Sequence, residues 1–205
     1  MKVGSRKAKR FHTMPDVMIS EILHQSLQVK NKMISVCVGP AEQAAQMISA
    51  SMRMGGKLML CGNGGSAADS QHLAAEFVAT LDPNKSRRGL PALALTTDTS
   101  FLTAYANDFG FEGTFARQVD ALGQPGDVLM GISTSGNSRN VLAAAKAAQE
   151  RQLSFIALTG ETGGQMAETA DLLIAVPSKI TMHIQECHVA LGHAITARVE
   201  TLLSK

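Results

Sequence analysis

A chain of 205 residues with 45% hydrophobic and 18% charged residues has enough apolar material for one domain with a full core, and is short for two. Its net charge of +2 is too small to point to nucleic acid, and much of the basic excess lies in the leading "MKVGSRKAKR". That stretch reads as a solvated basic tail over residues 1–14. It lacks the apolar core of a secretory signal, and no later run has the length of a membrane span, so a cytoplasmic protein with no membrane and no nucleic-acid partner is expected. Three cysteines at wide spacing (Cys37, Cys61, Cys187) form neither a disulfide framework nor a zinc knuckle and read as buried thiols.

In chain order, a first helix is expected from near Pro15, with Ile19, Leu23 and Leu27 at four-residue intervals. A second is expected from Pro40, where Ala41, Ala44, Ala45 and Ile48 share a face, to Gly55-Gly56. Five short apolar runs follow: "KLMLCG", "PALALTT", "DVLMGIS", "SFIALTG" and "DLLIAVPS". Each suits a strand buried on both faces. Helical patterns lie between them: "SAADSQHLAAEFVATL", "TSFLTAYAND" with "EGTFARQVDAL", "SRNVLAAAKAAQERQ" and "GGQMAETA". A last helix, "TMHIQECHVALGHAITARVETLLSK", ends the chain. Alternating strands and helices predict an α/β fold, a three-layer α/β/α sandwich on a central parallel five-stranded sheet. The divisions are residues 15–56 for the leading helices, 57–178 for the α/β core and 179–205 for the final helix, in one domain.

Ligands of an open parallel sheet bind beyond the carboxyl ends of its strands. Three polar loops fall there: Gly62 to Asp69, Thr96 to Ser100, and Ser133 to Ser138. The first, "GNGGSAAD", matches the dinucleotide pattern G-x-G-x-x-A, but the next strand ends in Thr96, Thr97 and Asp98, and Asp82 lies in a loop well before it. Ser66 is read as the helix cap, with Asp69 completing an S-x-x-D box. The third, "STSGNS", puts four hydroxyls in six residues before a helix, more than capping needs. Unpaired N–H groups and the positive dipole end make such a loop a phosphate site. With no Walker lysine, a sugar monophosphate fits better than a nucleoside triphosphate. His72 and Glu76 stand four apart, on one face of the helix that follows the glycine loop. His188 and His193 stand on the last helix, where a lone histidine in an apolar stretch is often a core residue.

With "CGNGGSAADSQHLAAEF", "LTTDTSFLTAYANDFGFE", "GDVLMGISTSGNS", "ALTG" with "GG", and "VPS" followed by "IQECHVALGH", the chain resembles the phosphosugar-binding SIS domain, and within it the phosphoheptose isomerases, over nearly its whole length. The resemblance implies interconversion of sedoheptulose 7-phosphate and D-glycero-D-manno-heptose 7-phosphate through an enediol(ate), feeding activated heptose for lipopolysaccharide core or other surface glycans. It places substrate contacts on Asn63, Gly64, Gly65, Glu76, Asn107, Asp108, Gln185 and the hydroxyls of Ser133, Thr134, Ser135 and Ser138. It places one zinc per subunit on His72, Glu76, Gln185 and His193, makes Glu76 and His193 the acid/base pair, and implies a homotetramer with active sites between subunits.

Gln185 and His193 are eight residues apart, about 12 Å along a regular helix, so sharing one ion requires long reach, an irregular helix start or two subunits. Thr80 and His183 replace arginines frequent in the family, which bears on substrate preference. Rival readings are a non-catalytic tetrameric adaptor like the DnaA initiator-associating protein, a sugar-phosphate sensing module, and an isomerase of another phosphosugar. The retained Glu76 and His193 count against the adaptor, and the lack of a DNA-binding domain in the leading residues counts against the sensor.

Overall fold

A computed structural model of the chain describes residues 18–84 and 86–204. The basic tail expected over 1–14 and a helix start near Pro15 lie outside the described residues. The strands β1 (Leu58–Gly62), β2 (Ala92–Ala94), β3 (Val128–Ser133), β4 (Ser154–Gly160) and β5 (Leu172–Val176) pair in parallel in the order β2-β1-β3-β4-β5. The central β1 and β3 are buried throughout, because helices cover both faces and every side chain on a parallel strand then meets apolar neighbours. The two edge strands differ from the expectation: β2 has only three residues and both β2 and β5 are partly exposed, since an edge strand has one neighbour instead of two.

Among the described residues seven α-helices and a single 3-10 turn accompany the sheet: α1 (Ile19–Arg53), α2 (Gly65–Val78), α3 (Thr99–Phe109), the turn Phe111–Gly113, α4 (Thr114–Leu122), α5 (Arg139–Glu150), α6 (Met166–Thr169) and α7 (Thr181–Leu203). One face of the sheet packs against α1, α2 and α7, where Ile48, Leu73, Phe77, Ile184 and Ile195 meet Leu60, Met130 and Ile156. The other packs against α4 and α5, where Phe115, Val119, Val141 and Ala144 meet Met59, Leu129 and Phe155. The region "GGQMAETA" yields only the single turn α6, anchored by the buried Met166.

The two leading helices are one. Pro40 lies inside α1, although a proline in a helix interior removes a hydrogen bond and costs about 3 kcal/mol. Burial on both sides of it offsets this cost: Cys37 donates through Sγ to the Ala175 carbonyl of β5 at 3.4 Å, and Ala41, Ala44, Ala45 and Ile48 continue the same buried face. Before Cys37 only Ser26 is buried, while Ile19, Leu23, Leu27, Ile34 and Val36 are exposed along the helix. The three cysteines are buried and free, as expected, and burial pushes the thiols up, to about 11 at Cys37 and about 12 at Cys61.

His188, rather than His193, is a core histidine of α7, together with the buried His183. His188 is fully buried with Nε2 at 3.1 Å from the Thr159 carbonyl, and burial depresses its pKa from 6.5 to about 4 despite that hydrogen bond. A depressed histidine pKa leaves its contribution intact above pH 6.5 and removes it as pH falls through 4, a loss of about 3 kcal/mol. Urea denaturation at pH 7.5, 5 and 4 should show that loss in the parent and a markedly smaller one in His188→Asn.

Candidate functional site

The chain leaves β1 toward β2 on one side and returns through β3 on the other, so the loops after β1 and β3 diverge at the sheet's topological switch point. A reciprocal pair of amide hydrogen bonds joins them: Asn63 Nδ2 donates to Asn140 Oδ1 at 2.9 Å, and Asn140 Nδ2 donates to Asn63 Oδ1 at 2.8 Å. The Asn63 side chain is thus engaged in holding the crevice together. Asn140 escaped the sequence reading. Its signal was available, because Asn140 falls on the face of α5 with Val141, Ala144 and Ala148, where a buried amide needs a partner.

The glycine loop enters α2 through Gly64, at φ 56°, ψ −121°, a conformation open to glycine and closed to most other residues. Gly64 is the cap residue, and no side chain caps the helix. Ser66 instead lies buried inside the first turn. The S-x-x-D box is therefore absent: Asp69 Oδ2 is buried without a hydrogen-bond partner, and burial raises the carboxyl's pKa, opposed by nearby His72.

After β3, Ser133 Oγ lies 2.9 Å from Ser138 Oγ and 3.5 Å from Ser135 Oγ, and Asn137 N–H donates to Ser135 Oγ at 3.2 Å. Ser138 precedes α5 but makes no capping bond with its side chain, so the helix's first N–H groups are not capped by that hydroxyl. Ser133, Thr134, Ser135 and Ser138 therefore ring a helix N-terminus suited to an anion. Gly136 shapes this loop. Its φ is +66°, and a Cβ there would stand 1.9 Å from the Gly163 carbonyl oxygen. Gly136→Ala should cost at least about 1–3 kcal/mol in a chemical melt and weaken inorganic phosphate binding about tenfold or more by calorimetry.

The ionisable cluster forms where α2 and α7 meet. Leu73 packs onto Gly192 so closely that a Cβ at Gly192 would come within 2.6 Å of it. The residues just before Leu73 and just after Gly192 are brought together at the same level. His72 Nε2 is 2.7 Å from His193 Nε2, and the two rings meet edge to face. Glu76 Oε1 is 3.8 Å from His72 Nε2. One ligand atom from each of His72, Glu76 and His193 lies within 4.8 Å of the others. Two imidazole nitrogens and a carboxylate oxygen converging this way are a donor set suited to zinc, with a coordination position left over.

Gln185 lies at the other end of the seam. Its carboxamide packs on Gly65, with Nε2 2.6 Å from where a Cβ would be, so it faces the glycine loop, while His72 lies about two turns of α2 further on. Asn107 and Asp108 occupy the last turn of α3, where Asn107 Nδ2 donates to Asp108 Oδ1 at 2.8 Å and both are exposed. No residue of α3 is buried, and no described contact brings this pair to the two loops. Asp98 caps α3 by accepting from Phe101 N at 2.9 Å, and Asp171 accepts from Phe155 N at 2.7 Å at the far edge of the sheet. Both are structural. Thr80 lies beyond the end of α2 and donates to the Asp82 carbonyl at 3.0 Å. His183 is buried, with neither ring nitrogen hydrogen-bonded and Nδ1 3.9 Å from Glu186 Oε1.

The family model for the SIS domain matches residues 23–160. The chain belongs to the SIS-domain family. Within it the likeness is to phosphoheptose isomerases: the one from Rhodospirillum rubrum is 55% identical over 82% of this chain and 88% of its own length, and that of Aquifex aeolicus is 47% identical over 90% and 96%. The structure of phosphoheptose isomerase from Neisseria gonorrhoeae superposes with a TM-score of 0.84 at 46% identity, over 89% of this chain and 97% of that one.

Proposed function

We propose that the protein is an intramolecular aldose–ketose isomerase that interconverts sedoheptulose 7-phosphate and D-glycero-D-manno-heptose 7-phosphate. The observation that carries this reading is the convergence of His72 and Glu76, on the helix that begins at the glycine loop, with His193 of α7. About 10 Å of α2 separates that loop from His72, which suits a substrate with its phosphate at one end and its reacting carbonyl at the other. The hydroxyl loop and the α5 N-terminus hold the phosphate, and Asn63 keeps the crevice at fixed width through Asn140.

In the reaction, the Glu76 carboxylate removes a proton from C1 of the ketose and returns it to C2. His193 moves the proton between O1 and O2, so the enediol forms and collapses with no net change in atoms. His72, Glu76 and His193 would hold one zinc per subunit, which would supply Lewis acidity to the carbonyl oxygen.

The assembly we propose is a homotetramer with sites completed between subunits. Two features support it. The apolar residues of the first half of α1 are exposed at helical spacing, and α3, which carries Asn107 and Asp108, has no fully buried residue and ends in a Phe109 that is 76% exposed. A cytoplasmic location fits an enzyme that supplies activated heptose synthesis. Among the described residues no helix is long and apolar enough to cross a membrane.

An NMR time course of sedoheptulose 7-phosphate in D2O should show aldoheptose phosphate carrying deuterium at C2. Glu76→Gln should lower kcat by about 10²-fold or more while phosphate binding is retained; full activity in that variant would reject the role of Glu76. Replacing both Leu23 and Ile34 by glutamate should shift the species seen in analytical ultracentrifugation from tetramer to smaller forms, and an unchanged tetramer would exclude α1 from the interface.

A further inference from the structure

The end of α2 lacks a cap of its own. The helix stops at Val78 without a glycine, and its last turn carries no basic residue, so the final carbonyls depend on groups from elsewhere. Arg87, from the loop before β2, meets this need. Its Nη2 donates to the Glu76 carbonyl at 2.7 Å and its Nη1 donates to the Phe77 carbonyl at 2.9 Å. The same guanidinium donates through Nε to Glu200 Oε1 at 2.7 Å, and Leu81 N–H donates to that oxygen at 3.2 Å. Both side chains are largely buried, at 12% and 9% exposed, so the pair is far less screened than a surface ion pair. Glu200 stands on α7 seven residues after His193, two turns along and on the same side of the helix.

The pair therefore joins the backbone of Glu76 to the helix that carries His193. Leu73 against Gly192 sets how closely α2 and α7 approach, but this contact, Gln185 at Gly65 and His72 at His193 all lie before Glu76 and leave the last turn of α2 freer. An attachment there removes that freedom, and a planar fork with two donors on one helix and one on the other fixes direction as well as distance. A buried ion pair is poor evidence for net stability, so a role in fixing geometry accounts better for its presence. We propose that Arg87 and Glu200 are positioning residues that set Glu76 against His193, acting through the backbone of α2 and not by touching the substrate. This inference rests on the functional reading above in that the positioned groups are taken as the zinc and proton-transfer site.

The test measures zinc affinity by competition with a chromophoric chelator, and kcat and KM with sedoheptulose 7-phosphate, on the full chain. Circular dichroism and thermal melts confirm that each variant is folded at the assay temperature. Arg87→Lys keeps the charge but loses the planar fork, and Glu200→Ala removes the acceptor. Each should lower zinc affinity or kcat by about 10- to 100-fold, with KM within about threefold of the parent, the effect usual for groups that orient metal ligands. Folded variants with parental zinc affinity and kcat would overturn the proposal, because a merely stabilising pair shifts the melt alone.

If both variants fail to fold, Glu200→Gln decides. Its amide oxygen still accepts from Leu81 N–H but holds the guanidinium more weakly. A loss of zinc affinity of about threefold or more at unchanged KM supports the role, on the same grounds, and parental behaviour overturns it. A parent that binds zinc without turning over the sugar phosphate would defeat the isomerase reading and leave the zinc measurement to decide the role of Arg87 and Glu200. A parent that neither binds zinc nor turns over substrate overturns both.

Discussion

The parallel packing of α2 on α7 is the constraint on which the candidate site depends. Neither helix alone carries a usable set of groups: α2 supplies an imidazole and a carboxylate, α7 a second imidazole. They meet because Gly192 has no side chain and Leu73 can lie against the backbone there. The seam is ordered along its length, with Gln185 at Gly65, Leu73 at Gly192 and His72 at His193. In the proposed reaction, position along these two helices corresponds to position along an elongated ligand. The loops at the sheet edge need only hold one end of it.

The sheet supplies what the helices lack, which is a fixed origin. Because β1 and β3 are central and buried on both faces, the loops that leave them start from points that cannot drift, and the two asparagines close the gap between those loops with complementary amides. The contrast with α3 is instructive. That helix follows the short edge strand β2, has no fully buried residue, only the partly buried Leu102 packed on the core, and carries Phe101, Tyr105 and Phe109 in a row of ring contacts along its own length. Rigidity thus falls away from the centre of the sheet toward that edge, as the density of apolar contacts does.

Much of this architecture was legible in the residues. Continuous apolar runs marked all five strands, and glycine and hydroxyl clusters marked the loops at their carboxyl ends. His72 and Glu76 could be placed on one helix face from spacing alone. Their meeting with His193 could not, because it depends on how two helices 121 residues apart cross. Pro40 misled for a related reason: local chemistry favours a helix start there, and burial on both sides of the proline overrides it. Ser66 misled because glycine, with its freedom at positive φ, took the cap position that a hydroxyl usually fills. Asn140, Arg87 and Glu200 act through partners remote in sequence, so only the burial of polar groups on apolar faces hinted at them.

Cys61 lies next to last in β1, whose every residue is buried, directly before the glycine loop, and burial in the central strand holds its thiol in the unreactive protonated form. Alkylating reagents meet this sulfur only when the strand itself opens. The rate at which it is modified is consequently a clock for the opening of the sheet's centre, built into the chain one residue away from the loop that starts the site.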